Sequence, residues 1–443
     1  MKKVITYGTY DMLHIGHINL LQRAKALGDY LIVGVTSEDY DRSRGKLNVS
    51  QNTKKRINAI KKLDFVDKVI VETHKNQKAE DMQKYNIDIF AIGDDWVGAF
   101  DYLNKYTKVV YLPRTEGISS TLLRAKNFTT VKLGIVGVGK DSKRFLKEAK
   151  FVSNIKPCSL FDKNLKKVEK FIKKTDIEYG YNNYKKFLTS PIDAIYISSP
   201  FEDHYKQIKM ALKAKKHVLC ENPLVVGEKE LKELFKLAKS KKRVLLISLK
   251  TAFAPAFNQL LKELKNGMLG DIKEVRASFT KLYKEHGYPK KFYKQGATNI
   301  LLNYPSLLIQ KVLKESNTIS FFDQKENGYD ISNRVITTHR DGKIGIATVG
   351  IGIKLEGDAI IAGTKGYVYI PAPWWLTREF YFRFEDEHKS YSFKYEFEGD
   401  GLRYMISEFS SIVQRGEIKS KRLTKKDMIE MNKIIVAYNK RCL

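Results

Sequence analysis

Gly8-Thr9-Tyr10-Asp11-Met12-Leu13-His14-Ile15-Gly16-His17 lies between a β-branched run, Val4–Tyr7, and an amphipathic stretch, Ile18–Ala26. A strand–turn–helix junction of this kind presents free backbone N–H groups and the positive end of the helix dipole, which together make an anion site. Two histidines three residues apart, with a glycine between them, can both face it, and the glycine allows close approach. Imidazole N–H groups donate to phosphate oxygens, where charge develops during transfer at an α-phosphate. The bland alternative is a pair of surface histidines, and the upstream Gly-Thr-x-Asp argues against it.

Outward from this junction, short strands alternate with helical stretches as far as about Lys126: strands Tyr30–Val35, Lys68–Val71, Ile87–Ile92 and Val109–Leu112, helices Thr53–Lys62 and Ala79–Tyr85. Such alternation implies a doubly wound parallel α/β sheet. Arg114-Thr115-Glu116-Gly117-Ile118-Ser119-Ser120-Thr121 follows the last strand. An arginine and hydroxyls around a glycine suit either a phosphate loop or a plain helix cap.

With the Gly93-Asp94-Asp95-Trp96 block, these motifs make residues 1 to about 126 resemble the glycerol-3-phosphate cytidylyltransferase family, nucleotidyltransferases with a His-x-Gly-His signature. The resemblance implies CTP and Mg²⁺ as reactants. It places Gly8, Thr9, Tyr10, His14 and His17 at the nucleotide, and Asp11 near metal and phosphates. It puts Lys46 on a loop that neutralises phosphate charge, and Arg114, Thr115, Ser119 and Thr121 across the triphosphate. Asp94 lines the nucleotide site; Asp95 and Trp96 line the acceptor pocket. A further family arginine aligns with Lys55 or Arg56. The attacking group is a phosphate monoester, already anionic, so the site needs charge screening and positioning rather than a general base.

A new unit opens near residue 129. Gly137-Val138-Gly139-Lys140-Asp141-Ser142 follows the strand Val131–Val136 and begins a helix, with Ser142 at the third glycine of a dinucleotide fingerprint. Asp162 ends the next strand, where a carboxylate binds a ribose 2′-hydroxyl. That favours NAD, while Lys163 leaves NADP open. Ile192–Pro200 with His204, Lys216–Leu224, and Lys250-Thr251-Ala252-Phe253-Ala254-Pro255 continue a pattern that resembles the glucose–fructose oxidoreductase/inositol dehydrogenase family over residues 131–443. This resemblance implies a Rossmann domain (129–250) and an α+β open-sheet domain (251–443), after a nucleotidyltransferase domain (1–128). It implies a nicotinamide cofactor at Gly137, Gly139, Ser142, Asp162, Ser199, Pro200, His204, Glu221 and Asn222, and hydride transfer at a sugar or polyol carbon. Two family positions differ: Asn222 replaces the expected lysine and Ile300 the expected acid. Tyr304 remains as a proton donor with Lys250 as an electrostatic helper. A working reductase and a silent cofactor-binding module both stay open. Pro371-Ala372-Pro373-Trp374-Trp375 reads as loop packing.

The composition agrees with soluble enzymes. Of 443 residues, 43% are hydrophobic and 29% charged, and no apolar run approaches the ~20 residues of a membrane span. The chain runs directly into a strand, so the expected compartment is the cytoplasm. Cys158, Cys220 and Cys442 make neither a disulfide framework nor a CxxC metal site. The net charge of +30 is spread along the chain with no basic tail, which favours a generally lysine-rich surface over a nucleic-acid or membrane partner, and small anionic substrates fit either reading. The expected partners are CTP and a small phosphorylated polyol or ketose, in a homo-oligomer as both families tend to form. The expected function is CDP-product synthesis coupled to reduction of the same small sugar, supplying capsule or teichoic-acid-like precursors; the alternative is a cytidylyltransferase carrying a silent module.

Overall fold

Strand β1 (Lys3–Gly8) has its four central residues buried, as expected of a strand covered on both faces. In the computed structural model it sits at the centre of a parallel sheet with β2 (Tyr30–Thr36), β3 (Lys68–Glu72), β4 (Ile89–Gly93) and β5 (Lys108–Leu112), in the order β3-β2-β1-β4-β5. The structure describes residues 1–443 except 44–48, 50, 75, 114–129, 153, 283–294, 387, 396–398 and 442–443. The chain divides into two compact units, Met1–Thr130 with Val152–Asn154, and the remainder.

In the first unit, helices Ile15–Lys25 and Thr53–Lys61 cover one sheet face, where Leu21 and Ile60 join Val4 and Val33. Helix Gln77–Lys84 covers the other, with Met82 against Ile5 and Phe90. A short helix at Glu38–Ser43 was not expected. Arg56 is fully buried and its guanidinium gathers three backbone carbonyls: Nη1 donates to Thr9 O and Thr36 O, both at 2.7 Å, and Nε to Gln51 O at 3.0 Å. Asp41 lies 3.6 Å away and also accepts the Thr9 hydroxyl at 2.9 Å. One side chain thus ties the loop after β1, the end of β2 and the start of its own helix. Of the two candidates for the family arginine, Lys55 is exposed and Arg56 is this clamp.

In the second unit, β6 (Val131–Val136), β7 (Ile155–Phe161), β8 (Tyr179–Tyr181), β9 (Ala194–Ile197), β10 (His217–Cys220) and β11 (Leu245–Ile247) form a parallel sheet in the order β11-β10-β9-β6-β7-β8. A second sheet contains β12 (Ile272–Thr280), β13 (Ser316–Glu326), β14 (Tyr329–His339), β15 (Ile344–Gly350), β16 (Ala359–Gly363), β17 (Gly366–Ile370), β18 (Glu379–Phe384) and β19 (Ser390–Lys394), in the order β13-β14-β15-β12-β16-β17-β18-β19. It is mostly antiparallel, as expected, but β12 and β15 run parallel. The β13–β14 hairpin escaped the sequence reading, although Asn327-Gly328 with φ of +54° and +82° is the turn such a hairpin favours. Helix Lys425–Arg441 follows the expected capping box: Asp427 Oδ2 accepts from Thr424 N and Oγ1, both at 2.8 Å. Helix Leu402–Gln414 returns to the Rossmann sheet, where Arg403 and buried Glu148 pair bidentately at 3.0 Å.

Asp330 on β14 is buried and fastens the turn entering helix Gly296–Leu301, its Oδ2 accepting from Thr298 N at 2.8 Å and Oγ1 at 2.7 Å. Gly296 has φ of +76°, and an added Cβ would lie 1.9 Å from Asp330 Oδ1, so no other residue fits there.

Burial raises the Asp330 carboxyl from 3.8 to about 6. The folded state therefore keeps this proton to higher pH than the unfolded chain, so the contribution of Asp330 to stability falls as pH rises from about 4 to about 6. Asp330→Asn should gain stability relative to the parent over that window, by about 2 kcal/mol, in denaturant titrations at pH 4 and pH 7; a constant difference would refute the assignment. Arg56→Met leaves three carbonyls and Asp41 without their cation. It should lower the stability of the first unit by about 3–5 kcal/mol, read as a calorimetric transition at least about 10 °C lower.

Candidate active sites

His14 caps helix Ile15–Lys25, its Nδ1 accepting from Gly16 N at 3.1 Å, which leaves the ring proton on Nε2 as a donor. The His14 and His17 rings stack 3.8 Å apart at an interplanar angle of 23°, and Tyr10 meets His17 edge-on at 5.5 Å. Gly8 makes this turn possible: an added Cβ would lie 2.8 Å from the Tyr10 ring. The pair stands just beyond β1. Strand order reverses between β1 and β4, and ligands of open α/β sheets bind at such a crevice.

Asp11 is 2% exposed, and its Oδ1 accepts from Gln51 N at 2.9 Å. One carboxylate beside a phosphate loop fits a Mg²⁺ ion that keeps most of its waters and travels with a triphosphate. The Thr9 hydroxyl is spent on Asp41 and Tyr10 is 2% exposed, so these two shape the loop. Asp94 is exposed at the end of β4, and Trp96, 43% exposed, packs on Phe100 at 5.7 Å. Lys46, Arg114, Thr115, Ser119 and Thr121 lie outside the described residues, as does the side chain of Asp95.

In the second unit the reversal falls between β6 and β9. Gly137 has φ of +95°, and a Cβ there would lie 2.9–3.0 Å from the Ser198–Ser199 backbone. Gly139 opens onto empty space, so the turn is a cradle that a diphosphate can approach. Ser142 is buried and its hydroxyl bonds to Gly139 N at 2.8 Å, which locks the turn instead of lining it. Asp162 braces the cradle, accepting from Val138 N at 3.0 Å and Asn164 N at 2.9 Å. Lys163 faces Asp203 at 2.7 Å. His204 is 1% exposed, with one ring nitrogen 2.7 Å from Pro223 O and the other 2.9 Å from Ser199 O. It joins the Ser199-Pro200 turn to the turn after Asn222. Burial depresses its pKa.

Glu221 accepts from Tyr196 and from Ser248 Oγ at 2.8 Å. Asn222, at the family's lysine position, donates to Ile300 O at 2.7 Å and accepts from Asn303. The positions of both departures are therefore joined: the amide that replaces lysine holds the carbonyl of the residue that replaces the acid. Tyr304 adjoins Asn303 and meets Phe279 edge-on at 4.8 Å; Phe279 in turn stacks on Trp375 at 3.9 Å. Trp374 is packing, as expected, with Nε1 donating to Ser278 O at 2.8 Å, but Trp375 belongs to this aromatic wall. Lys250 donates to Asp400 O at 2.6 Å, and burial followed by the nearby Arg144 holds its ammonium down to about 8.

The sequence reading missed Arg144, Asn303, Phe279 and Asp400. Arg144 was within reach, one helical turn beyond Gly139. Asp400 was not, because its approach depends on how helix Leu402–Gln414 packs.

Residues 5–126 match the cytidylyltransferase-like family, and residues 131–249 the oxidoreductase family with an NAD-binding Rossmann fold. The glycerol-3-phosphate cytidylyltransferase of Bacillus spizizenii is 50% identical over 125 residues, 28% of this chain and 95% of that protein. The trans-1,2-dihydrobenzene-1,2-diol dehydrogenase of Bos taurus is 27% identical over 304 residues, 65% of this chain and 89% of that protein. The fold of the second unit is shared with KijD10, a 3-ketoreductase from Actinomadura kijaniata solved with NADP and TDP-benzene; the TM-score is 0.62 at 20% identity, over 70% of this chain and 97% of that one. Among the described residues no helix is long and apolar enough to cross a membrane. The chain therefore belongs to the cytidylyltransferase-like family through its N-terminal domain, and it carries behind that domain a second one that matches the oxidoreductase family with an NAD-binding Rossmann fold, the make-up of a fused enzyme.

Proposed function

We propose that the first unit transfers CMP from CTP to a small polyol or ketose phosphate, and that the second reduces the same small sugar with a nicotinamide cofactor. The stacked His14–His17 pair at a helix N-terminus, on the crevice where strand order reverses, carries the reading. An oxygen of the acceptor phosphate attacks the α-phosphorus of CTP, the bond to the bridging oxygen breaks, and pyrophosphate leaves. His14 and His17 donate to the oxygens on which charge develops. Asp11 would hold Mg²⁺, which supplies charge neutralisation.

A bound reduced nicotinamide supplies the hydride in the second unit. Tyr304 gives its phenolic proton to the carbonyl oxygen, and Lys250, a cation of lowered pKa, favours the resulting phenolate. Asn222 supports a second reading, a silent module, because its amide is committed to Ile300 and Asn303. We read the product as a CDP-linked polyol for cell-surface polymers, made in the cytoplasm by a homo-oligomer.

Pyrophosphate release from CTP and Mg²⁺, across glycerol, pentitol and pentulose phosphates, with NADH and NADPH absorbance followed together, tests both halves. His17→Ala should lower pyrophosphate release at least about 100-fold with an unchanged melting profile; retained turnover would remove the site. Tyr304→Phe should lower nicotinamide oxidation about 100-fold or more and leave pyrophosphate release intact. If no phosphate in the panel oxidises nicotinamide in the parent chain, the silent module is the correct reading.

A further inference from the structure

Helix Gly296–Leu301 and the Asn303-Tyr304 pair that follows it are fastened on several sides. From the open sheet, Asp330 of β14 holds Thr298, and Asn333 of the same strand donates to Thr298 Oγ1 at 2.9 Å. From helix Lys425–Arg441, Asn439 Nδ2 donates to Asn299 Oδ1 at 3.1 Å. From the Rossmann sheet the link is Asn222, in the turn after β10, which donates to Ile300 O at 2.7 Å and accepts from Asn303 Nδ2. The same turn leads on to the dinucleotide cradle. Pro223 O lies 2.7 Å from one ring nitrogen of His204, and Ser199 O 2.9 Å from the other. Ser199 N stands so close to Gly137 that an added Cβ would lie 2.9 Å from it. His204 is 1% exposed and Asn303 4%, and shielded hydrogen bonds of this kind hold geometry firmly. A lysine at position 222 could donate but not accept, whereas one planar amide does both.

We propose that Asn222 is a positioning residue, which carries the placement of the cofactor turns to Tyr304, so that a dinucleotide at the Gly137–Gly139 cradle orders residues 300–304 through the Asn222–Asn303 bond. Reduction needs the hydride donor and the proton donor set about one carbonyl, and a misplacement of about 1 Å can cost roughly 100-fold in rate. The amide at position 222 gives up the proton and charge of a lysine and fixes that spacing instead. The turnover arm of the test rests on the reductase reading above, and the exchange arm only on dinucleotide binding.

Amide hydrogen exchange of the full chain, read by mass spectrometry with NAD⁺ and separately with NADP⁺, tests the coupling. The dinucleotide is raised until protection of residues 137–142 is complete, which reports an occupied cradle. In the parent chain, exchange at residues 300–304 should then slow at least about threefold. In Asn303→Ala the occupied cradle should leave residues 300–304 exchanging as they do without dinucleotide. Should Asn303→Ala fail to fold, Asn303→Ser, whose hydroxyl ends one bond short of the amide nitrogen, is read in the same way. The proposal is overturned, and the cofactor reading kept, if protection stops at residues 137–142 in the parent or persists at 300–304 in the variant. Protection at neither segment with either dinucleotide removes the cofactor reading and the proposal with it. In turnover, Asn303→Ala should lower kcat about tenfold and leave KM for NADH within about twofold. It should cost nothing further in the Tyr304→Phe background, because it acts through that residue. An additive loss in the double variant would overturn the positioning role.

Discussion

A parallel strand cannot turn straight back on its neighbour; the chain must cross over, here through helices, before the next strand begins. Both parallel sheets obey this constraint, and each therefore delivers all its strand C-terminal ends to one edge. Where successive crossovers depart to opposite sides, between β1 and β4 and again between β6 and β9, the loops splay and leave a crevice. The histidine pair occupies the first crevice and the Gly137–Gly139 cradle the second. The two crevices share one architectural origin, and the difference between them lies in the loops.

Buried charge fixes those loops in place. Arg56 uses its guanidinium on three carbonyls, so the backbone after β1 is held before any ligand arrives. The Glu148–Arg403 pair does the same between helix Lys140–Ala149 and the helix following Asp400. Removing one partner of such a pair costs far more than the pair contributes, since the other charge is stranded away from water. Several polar residues of motif segments are structural for the same reason: Ser142, His204 and the Thr9 hydroxyl bond to the protein itself.

Position 222, where the family resemblance puts a lysine, is tied into the protein itself. A lysine at position 222 would bring a proton and a charge. Asn222 brings an amide that donates and accepts at once, and it spends both on the segment that precedes Tyr304. Arg144 and Lys250, from other elements, both meet Asp400, which helix Leu402–Gln414 brings back toward the Rossmann sheet.

The alternation of β-branched strands and amphipathic helices, the His-x-Gly-His turn, the Gly137-x-Gly139 turn and the Thr424–Asp427 cap were all legible in the sequence, because each rests on contacts between residues close in the chain. The parallel β12–β15 pairing and the companions of Tyr304 were not. Nor was the choice between Lys55 and Arg56, since adjacent helical residues differ only in which face meets the sheet. Asp400 is 150 residues from Lys250, and Glu148 is 255 from Arg403. No local pattern encodes such meetings; they exist because a packed core has room for one arrangement of its charges, and only folding reveals which.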